Sequence, residues 1–227
     1  FMKTESDARE LASLMVRIAR ERGKKVTALI TDMDAPLGNA VGNSMEVIEA
    51  IDCLRGRAPQ DYTELVYELS SRMLLLAGYG TPEECRTQCE RAVESGAAFA
   101  KFKEMVGAQG GNVGWIEDTE LFPRAPCSRI VRAERDGFIS HMDAEGYGTA
   151  ALLLGAGRQK KEDAIDYSAG IRILKKTGDE VLEGDGIAVL FASDEALFPA
   201  AEKRLLASVR YSDAPPPARP LVLGVVG

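Results

Sequence analysis

Hydrophobic positions repeat with two different spacings along this chain, and the spacing changes near residue 110. In the first part, apolar residues recur every three to four positions, as they do on one face of an α-helix. Most of residues 5–108 is therefore predicted to be helical. The two most regular stripes are Leu11, Leu14, Met15 and Ile18, which precede Gly23, and Leu65, Leu69, Met73 and Leu76.

One segment of this helical part has a different pattern. Residues 26–32, VTALITD, form a short β-branched run without alternation, which is typical of a strand buried on both faces. We predict an interior strand of a sheet with helices on each side. Asn43 and Glu46 then have capping-box spacing and predict a helix to about Leu54, and residues 81–84, TPEE, predict another helix start.

Beyond the glycine-rich residues 107–114, the chain consists mainly of short β-like runs that are separated by glycine turns. The predicted elements are a hairpin over 127–143 that turns at Asp136 and Gly137, three short strands within 170–193, and helices over 144–158 and 194–207.

Together these patterns predict an α/β fold. Residues 1–114 are expected to form helices packed on a mixed sheet, and residues 115–227 a β-rich, barrel-like subdomain of the barrel-sandwich kind. Residues 212–220, SDAPPPARP, are too rich in proline to continue regular structure, so we expect them to lie extended.

Composition narrows the classes of partner. The chain has 227 residues, 45% of them hydrophobic, and a net charge of −7, which disfavours nucleic acid and anionic membranes as ligands. No apolar run reaches about 18 residues, so no transmembrane helix is predicted. No secretory signal is visible at the start of the chain, and we expect a cytoplasmic protein.

The four cysteines do not predict a metal site. Cys85 and Cys89 lie one helical turn apart, but no third ligand is near them in sequence. The single histidine, His141, is distant, and we assign it no role. Reduced thiols in a cytosolic protein are the simplest interpretation.

The loop after the predicted strand is a better candidate for a binding site. Pro36 and Gly38 bend it, so several backbone carbonyls can turn inward, and Glu49 lies about a turn and a half into the following helix. Such an oxygen set suits a weakly held monovalent cation. From spacing alone the simpler alternative is favoured, in which Asp32 and Asp34 only form the turn and Asn43 only caps the helix.

Five blocks of sequence together resemble the pyrimidine-nucleoside phosphorylase and thymidine phosphorylase family. The most specific is TDMDAPLGNAVGNSMEVIEA at 31–50, and the blocks occur in the family's order over nearly the whole chain. The others are FKEMVGAQGG, GFISHMDAEGYGTAALLLGAGR, DAIDYSAGI and GDEVLEGDGIAVLFA.

This resemblance implies reversible phosphorolysis of uridine-type or thymidine-type nucleosides, with phosphate as co-substrate and base and pentose 1-phosphate as products. It implies a homodimer and a potassium-like cation. By position, the backbone carbonyls of Leu37 and Ala40 and the side chain of Glu49 would hold that ion. Phe1 would form part of the wall of the pyrimidine pocket.

The resemblance also implies that the family's phosphate-binding and base-binding residues precede Phe1, because Phe1 falls inside a motif that normally reads Gly-Ala-Phe-Met. We therefore expect no catalytic residue within these 227 residues and no activity from them alone. The alternative is a stand-alone, non-catalytic binding or assembly module.

Overall fold

The computed structural model describes residues 2–227; Phe1, the predicted pocket-wall residue, lies outside the described residues. The helices largely follow the predicted stripes. They are α1 (Glu5–Glu21), α2 (Asn43–Leu54), α3 (Gln60–Ala77), α4 (Pro82–Glu94), α5 (Ala97–Ala108), α6 (Val113–Glu117), α7 (Ala144–Ala151) and α8 (Phe198–Leu206).

The strands form three antiparallel sheets, with orders β1-β9, β2-β5-β7-β3 and β6-β4-β8. Their bounds are β1 (Ala28–Thr31), β2 (Ala40–Val41), β3 (Cys127–Arg132), β4 (Gly137–Met142), β5 (Gly170–Ile173), β6 (Glu180–Val181), β7 (Gly186–Ala192), β8 (Val209–Ser212) and β9 (Val222–Val226). The α/β character of the fold is confirmed. The prediction of a mixed sheet is wrong for the described residues, because every strand pair among them is antiparallel, and these residues contain no closed barrel.

The described chain divides into two compact units, and neither is continuous in sequence. The first comprises residues 2–32, 60–98 and 219–227, and the second comprises residues 33–59 and 99–218. The loop that contains Pro36 and Gly38 thus belongs to the same unit as the β-rich segments. The predicted boundary between residues 114 and 115 remains a prediction for the whole protein.

In the first unit, α1 packs on the two-stranded sheet of β1 and β9. Strand β1 pairs with the end of the chain, Leu29 opposite Val225, and has no second partner among the described residues. The prediction of an interior strand is therefore wrong for this sheet, because a two-stranded sheet has only edge strands. The sequence of residues 26–32 could not identify a partner almost 200 residues away.

Helices α3 and α4 pack against each other in this first unit. The predicted capping box that opens α4 is confirmed: Thr81 Oγ1 accepts from the Glu84 amide at 3.3 Å, and Glu84 Oε2 accepts from the Thr81 amide at 2.8 Å. Cys85 and Cys89 of α4 are buried free thiols. Burial raises the pKa of the Cys89 thiol, which keeps it neutral.

The second unit holds one continuous core that both larger sheets, α7 and α8 share. Burial of the side chains of this core is the main stabilising contribution. Its largest fully buried side chains are Tyr147, Phe198, Ile139, Met142, Leu154, Ile171, Ile187, Leu190 and Leu205.

One predicted connection of this unit is wrong. Strand β3 pairs with β7, whereas β4 pairs with β6 and β8, so 127–143 is not a hairpin but a crossing from one sheet to the other. The turn at Gly137, with φ +139°, remains. The predicted helices over 144–158 and 194–207 are present. The first continues from α7 through a π-helical segment (Leu152–Ala156), in which Gly155 has a non-helical φ of +100°.

Candidate functional site

The segment from Met33 to Val41, here called the Glu49 loop, is bent at Pro36 and Gly38, both of which are buried. Gly38 has φ +66°, a left-handed conformation that glycine adopts without steric cost. At the end of the loop, the Asn39 carbonyl accepts a hydrogen bond of 2.8 Å from the Ile173 amide. Residues 40–41 then pair with β5, so the sheet fixes this end of the loop.

The side chain of Glu49 projects from α2 into this loop. Its Oε1 accepts a hydrogen bond of 2.8 Å from the Asn39 amide, and its Oε2 accepts one of 3.3 Å from the Ala40 amide. Hydrogen bonds to an ionised carboxylate are stronger than those between neutral groups. Glu49 therefore holds the loop at two consecutive amides and does not point away into solvent.

The start of α2 differs by one residue from the predicted capping box. The N-cap is Gly42, and Glu46 Oε1 accepts from the Gly42 amide at 3.0 Å. The Asn43 side chain instead donates to the Ala156 carbonyl at 2.6 Å. The prediction that Asn43 caps α2 is therefore wrong, because its side-chain amide is hydrogen-bonded to a segment 113 residues away.

Two glycines let α2 begin directly against β5. A Cβ atom on Gly42 would lie 2.6 Å from the Ala169 carbonyl oxygen, and one on Gly170 would lie 2.5 Å from the Val41 carbonyl oxygen. Gly42 also has φ +146°. This close backbone contact fixes the position of the start of α2, and therefore of Glu49, relative to β5.

Asp166 supports the same region from the segment before β5. Its Oδ1 accepts hydrogen bonds from the Ser168 hydroxyl (2.6 Å) and amide (2.9 Å), and its Oδ2 accepts one from the Ser193 hydroxyl (2.5 Å). Burial raises the pKa of Asp166, but these hydrogen bonds outweigh burial and hold its pKa below the ordinary value. The neighbouring Tyr167 carbonyl accepts from the Ser44 amide in the first turn of α2.

The ligand atoms available here, one carboxylate and backbone carbonyls, are of the kind that a weakly held monovalent cation uses. Among residues 2–227, no group of three or more His, Cys, Asp or Glu could hold a metal ion, so a cation here would depend on backbone carbonyls. The loop supplies carbonyls at Leu37 and Ala40, and Glu49 supplies one carboxylate that already faces the loop. Their role as ligands remains a prediction.

The remaining polar candidates have structural contacts. The Asp32 amide donates to the Leu221 carbonyl at 2.9 Å, and the Asp34 carbonyl accepts from the Ala144 amide at 3.1 Å. His141 lies in β4 opposite Arg210. Nothing in the described geometry gives His141 a chemical role.

Two contacts were not predicted from the sequence. The amides of Asn39 and Ala40 bind Glu49, and the Lys176 ammonium donates to the Pro36 carbonyl at 3.3 Å. Every residue except proline has a backbone amide, so the sequence does not show which amides bind a side chain. Lys176 follows Lys175 in a turn between strands, where paired lysines usually face solvent.

Residues 138–212 match the family model of the pyrimidine nucleoside phosphorylase C-terminal domain. The chain is similar to proteins named pyrimidine-nucleoside phosphorylase. It is 45% identical over 196 residues to the pyrimidine-nucleoside phosphorylase of Bacillus subtilis. These residues are 86% of this chain and 45% of that protein. The enzyme of the same name from Geobacillus stearothermophilus is 40% identical over 223 residues, or 98% of this chain and 51% of that protein.

A third relative of that name, from Staphylococcus aureus, is 43% identical over 194 residues, 85% of this chain and 45% of its own length. The chain thus spans about half the length of the curated relatives it matches. The resemblance seen in the sequence is confirmed. Within residues 2–227, no helix is long and apolar enough to cross a membrane.

Proposed function

We propose that the whole protein to which this chain belongs is a pyrimidine-nucleoside phosphorylase. It would cleave uridine-type or thymidine-type nucleosides reversibly with phosphate, and release the base and pentose 1-phosphate. The observation that carries this proposal is identity of 40–45% over most of the chain to proteins of that name.

Such a reaction places a phosphate oxygen against the anomeric carbon of the sugar while the bond to the base breaks. It requires positioning and stabilisation of charge rather than a covalent intermediate. We assign this chain a supporting part: it would brace the active-site region through the Glu49 loop, while the phosphate and base ligands come from outside these 227 residues. The whole protein would act as a homodimer.

The Glu49 loop would hold a potassium-like ion through the Leu37 and Ala40 carbonyls and the Glu49 carboxylate. When bound, such an ion would offset the charge of Glu49 and draw the loop carbonyls together. Three protein ligands are few for an ion of this size, so part of its shell would come from elsewhere in the whole protein.

The test is an assay of uracil release from uridine, with and without phosphate. The whole protein should release uracil only when phosphate is present, and the purified 227-residue chain should release none above background. Uracil release by the purified chain would contradict the assignment of the chemistry to residues outside it. A whole protein that releases none from uridine or thymidine would favour the alternative, a non-catalytic binding or assembly module.

A further inference from the structure

The Lys176 side chain joins two segments that are 140 residues apart. Its ammonium donates to the Pro36 carbonyl at 3.3 Å, in a half-buried position at the bend of the Glu49 loop. Both segments lie in the second compact unit. This contact is separate from the Glu49 hydrogen bonds, which hold the loop three and four residues further along.

The backbone of Lys176 is itself fixed by a tight turn. Its amide donates to Asp179 Oδ2 at 2.7 Å, and its carbonyl accepts from the Asp179 amide at 3.0 Å. The Gly178 amide donates to the Ile139 carbonyl at 2.8 Å, which ties the turn to β4. A lysine on a fixed backbone loses less entropy when it makes a directed contact than a lysine on a mobile loop does.

The loop is held at its exit, at Asn39 and Ala40, by β5 and by Glu49. Near its start the Asp34 carbonyl accepts from the Ala144 amide. The bend at Pro36 lies between these anchors and is where a further anchor has most effect. Proline has no amide to donate, so here the carbonyl is the backbone group that can make a hydrogen bond. A charged donor makes a stronger hydrogen bond to a carbonyl than a neutral donor does.

We propose that Lys176 is a positioning residue of the Glu49 loop. Its ammonium fixes the Pro36 carbonyl from the turn at 176–179. Through this contact the β-rich sheets help to order the loop and to hold Asn39 and Ala40 close to Glu49. This inference concerns the geometry of the loop and stands whether or not the loop binds a cation.

Lys175 provides a matched control. Its ammonium also donates to a backbone carbonyl, that of Glu180 at 3.2 Å, but this contact stays within the strand connection and does not reach the loop. Lys175→Met and Lys176→Met thus remove the same chemical group from adjacent positions. Lys176→Arg keeps a charged donor and tests for rescue.

The experiment measures amide hydrogen exchange at Asn39 and Ala40 in the whole protein, with the amides of β7 as a reference for global unfolding. Lys176→Met should speed exchange at both loop amides roughly ten-fold or more, which corresponds to loss of one hydrogen bond to a charged donor. Lys175→Met should leave these amides unchanged, and Lys176→Arg should restore most of the protection.

Three results would overturn the proposal: unchanged loop exchange in Lys176→Met, an equal effect in Lys175→Met, or an equal acceleration in β7. The measurement is repeated in potassium chloride and in choline chloride. If potassium does not protect the wild-type loop but Lys176→Met still loosens it, the cation assignment fails and the positioning role stands. If potassium protects the loop but Lys176→Met has no effect, the positioning role fails and the cation assignment stands.

Discussion

The two compact units use their hydrophobic residues differently. In the unit of residues 33–59 and 99–218, one core buries its largest apolar side chains almost completely. In the unit built around α1, α3 and α4, the regular apolar stripe of α1 remains at the surface: Leu11, Leu14, Met15 and Ile18 are 41–60% exposed, and the smaller Ala12 and Val16 are buried in their place.

This difference shows that a strong helical pattern predicts a helix but does not identify what its apolar face contacts. The β-rich unit buries its apolar residues in its own core, so its stability should respond strongly to changes in that core. The stripe on α1 should contribute less to the stability of the isolated chain than the core of the other unit does, because its side chains are 41–60% exposed to water.

Core truncation gives the largest expected contrast. Leu190→Ala removes a fully buried side chain in β7 and should lower the free energy of unfolding by about 2–5 kcal/mol. Leu14→Ala, at a side chain that is 42% exposed on α1, should change it by about 0.5 kcal/mol or less. Urea titration followed by circular dichroism measures both, and a large cost at Leu14 would mean that the stripe is buried in solution.

A glycine substitution at the start of α2 should have the next largest effect. Gly42→Ala forces a Cβ to within 2.6 Å of a backbone oxygen at φ +146°, and should cost about 3 kcal/mol through strain and displacement of β5. Gly23→Ala, at φ +67° with no atom within 4 Å of the added Cβ, should cost about 1 kcal/mol. Equal thermal shifts for the two variants would contradict the close approach of α2 and β5.

Glu49→Gln should have an intermediate and local effect. The substituted amide keeps one acceptor but turns its NH2 group toward a backbone amide, so one of the two loop hydrogen bonds is lost at a cost of about 1–2 kcal/mol. Asp52→Asn, the same kind of change on the same helix but paired with Arg57, is the control. Hydrogen exchange at Asn39 and Ala40 should increase in the first variant only.

The smallest predicted effect is a pH dependence from Asp166. Its pKa is lower in the folded chain than the usual value of about 3.9, so its ionised form stabilises the fold. That contribution is complete above the unfolded pKa and is lost as the pH falls through the folded pKa. Asp166→Asn should therefore cost about 1 kcal/mol at pH 7 and progressively less below pH 4; a cost that stays constant with pH would contradict this.

Local signals in the sequence predicted local structure well. The capping box at Thr81 and Glu84 and the three short strands within 170–193 depend on near neighbours or on short apolar runs, and all are present. Long-range pairing was not predictable. The β-like segment at 127–132 predicts a strand, but its partner β7 is set by the shared core and not by the nearest turn.

The candidate site shows the same limit. The sequence identified Glu49 and the bend at Pro36 and Gly38, since a carboxylate, a proline and a glycine are visible residue by residue. It did not identify the backbone amides that Glu49 binds. The sequence favours Asn43 as the N-cap of α2, because asparagine is common at that position. In the structure the Asn43 side chain donates to the distant Ala156 carbonyl, and Gly42 is the N-cap.

The proposed monovalent cation in the Glu49 loop can be tested by a crystal structure of the whole protein grown with rubidium or thallium in place of potassium. We predict an anomalous peak in contact with the Glu49 carboxylate and the carbonyls of Leu37 and Ala40, and its loss in Glu49→Gln. An ordered loop with no peak beside Glu49 would contradict the claim and leave the loop as a structural turn.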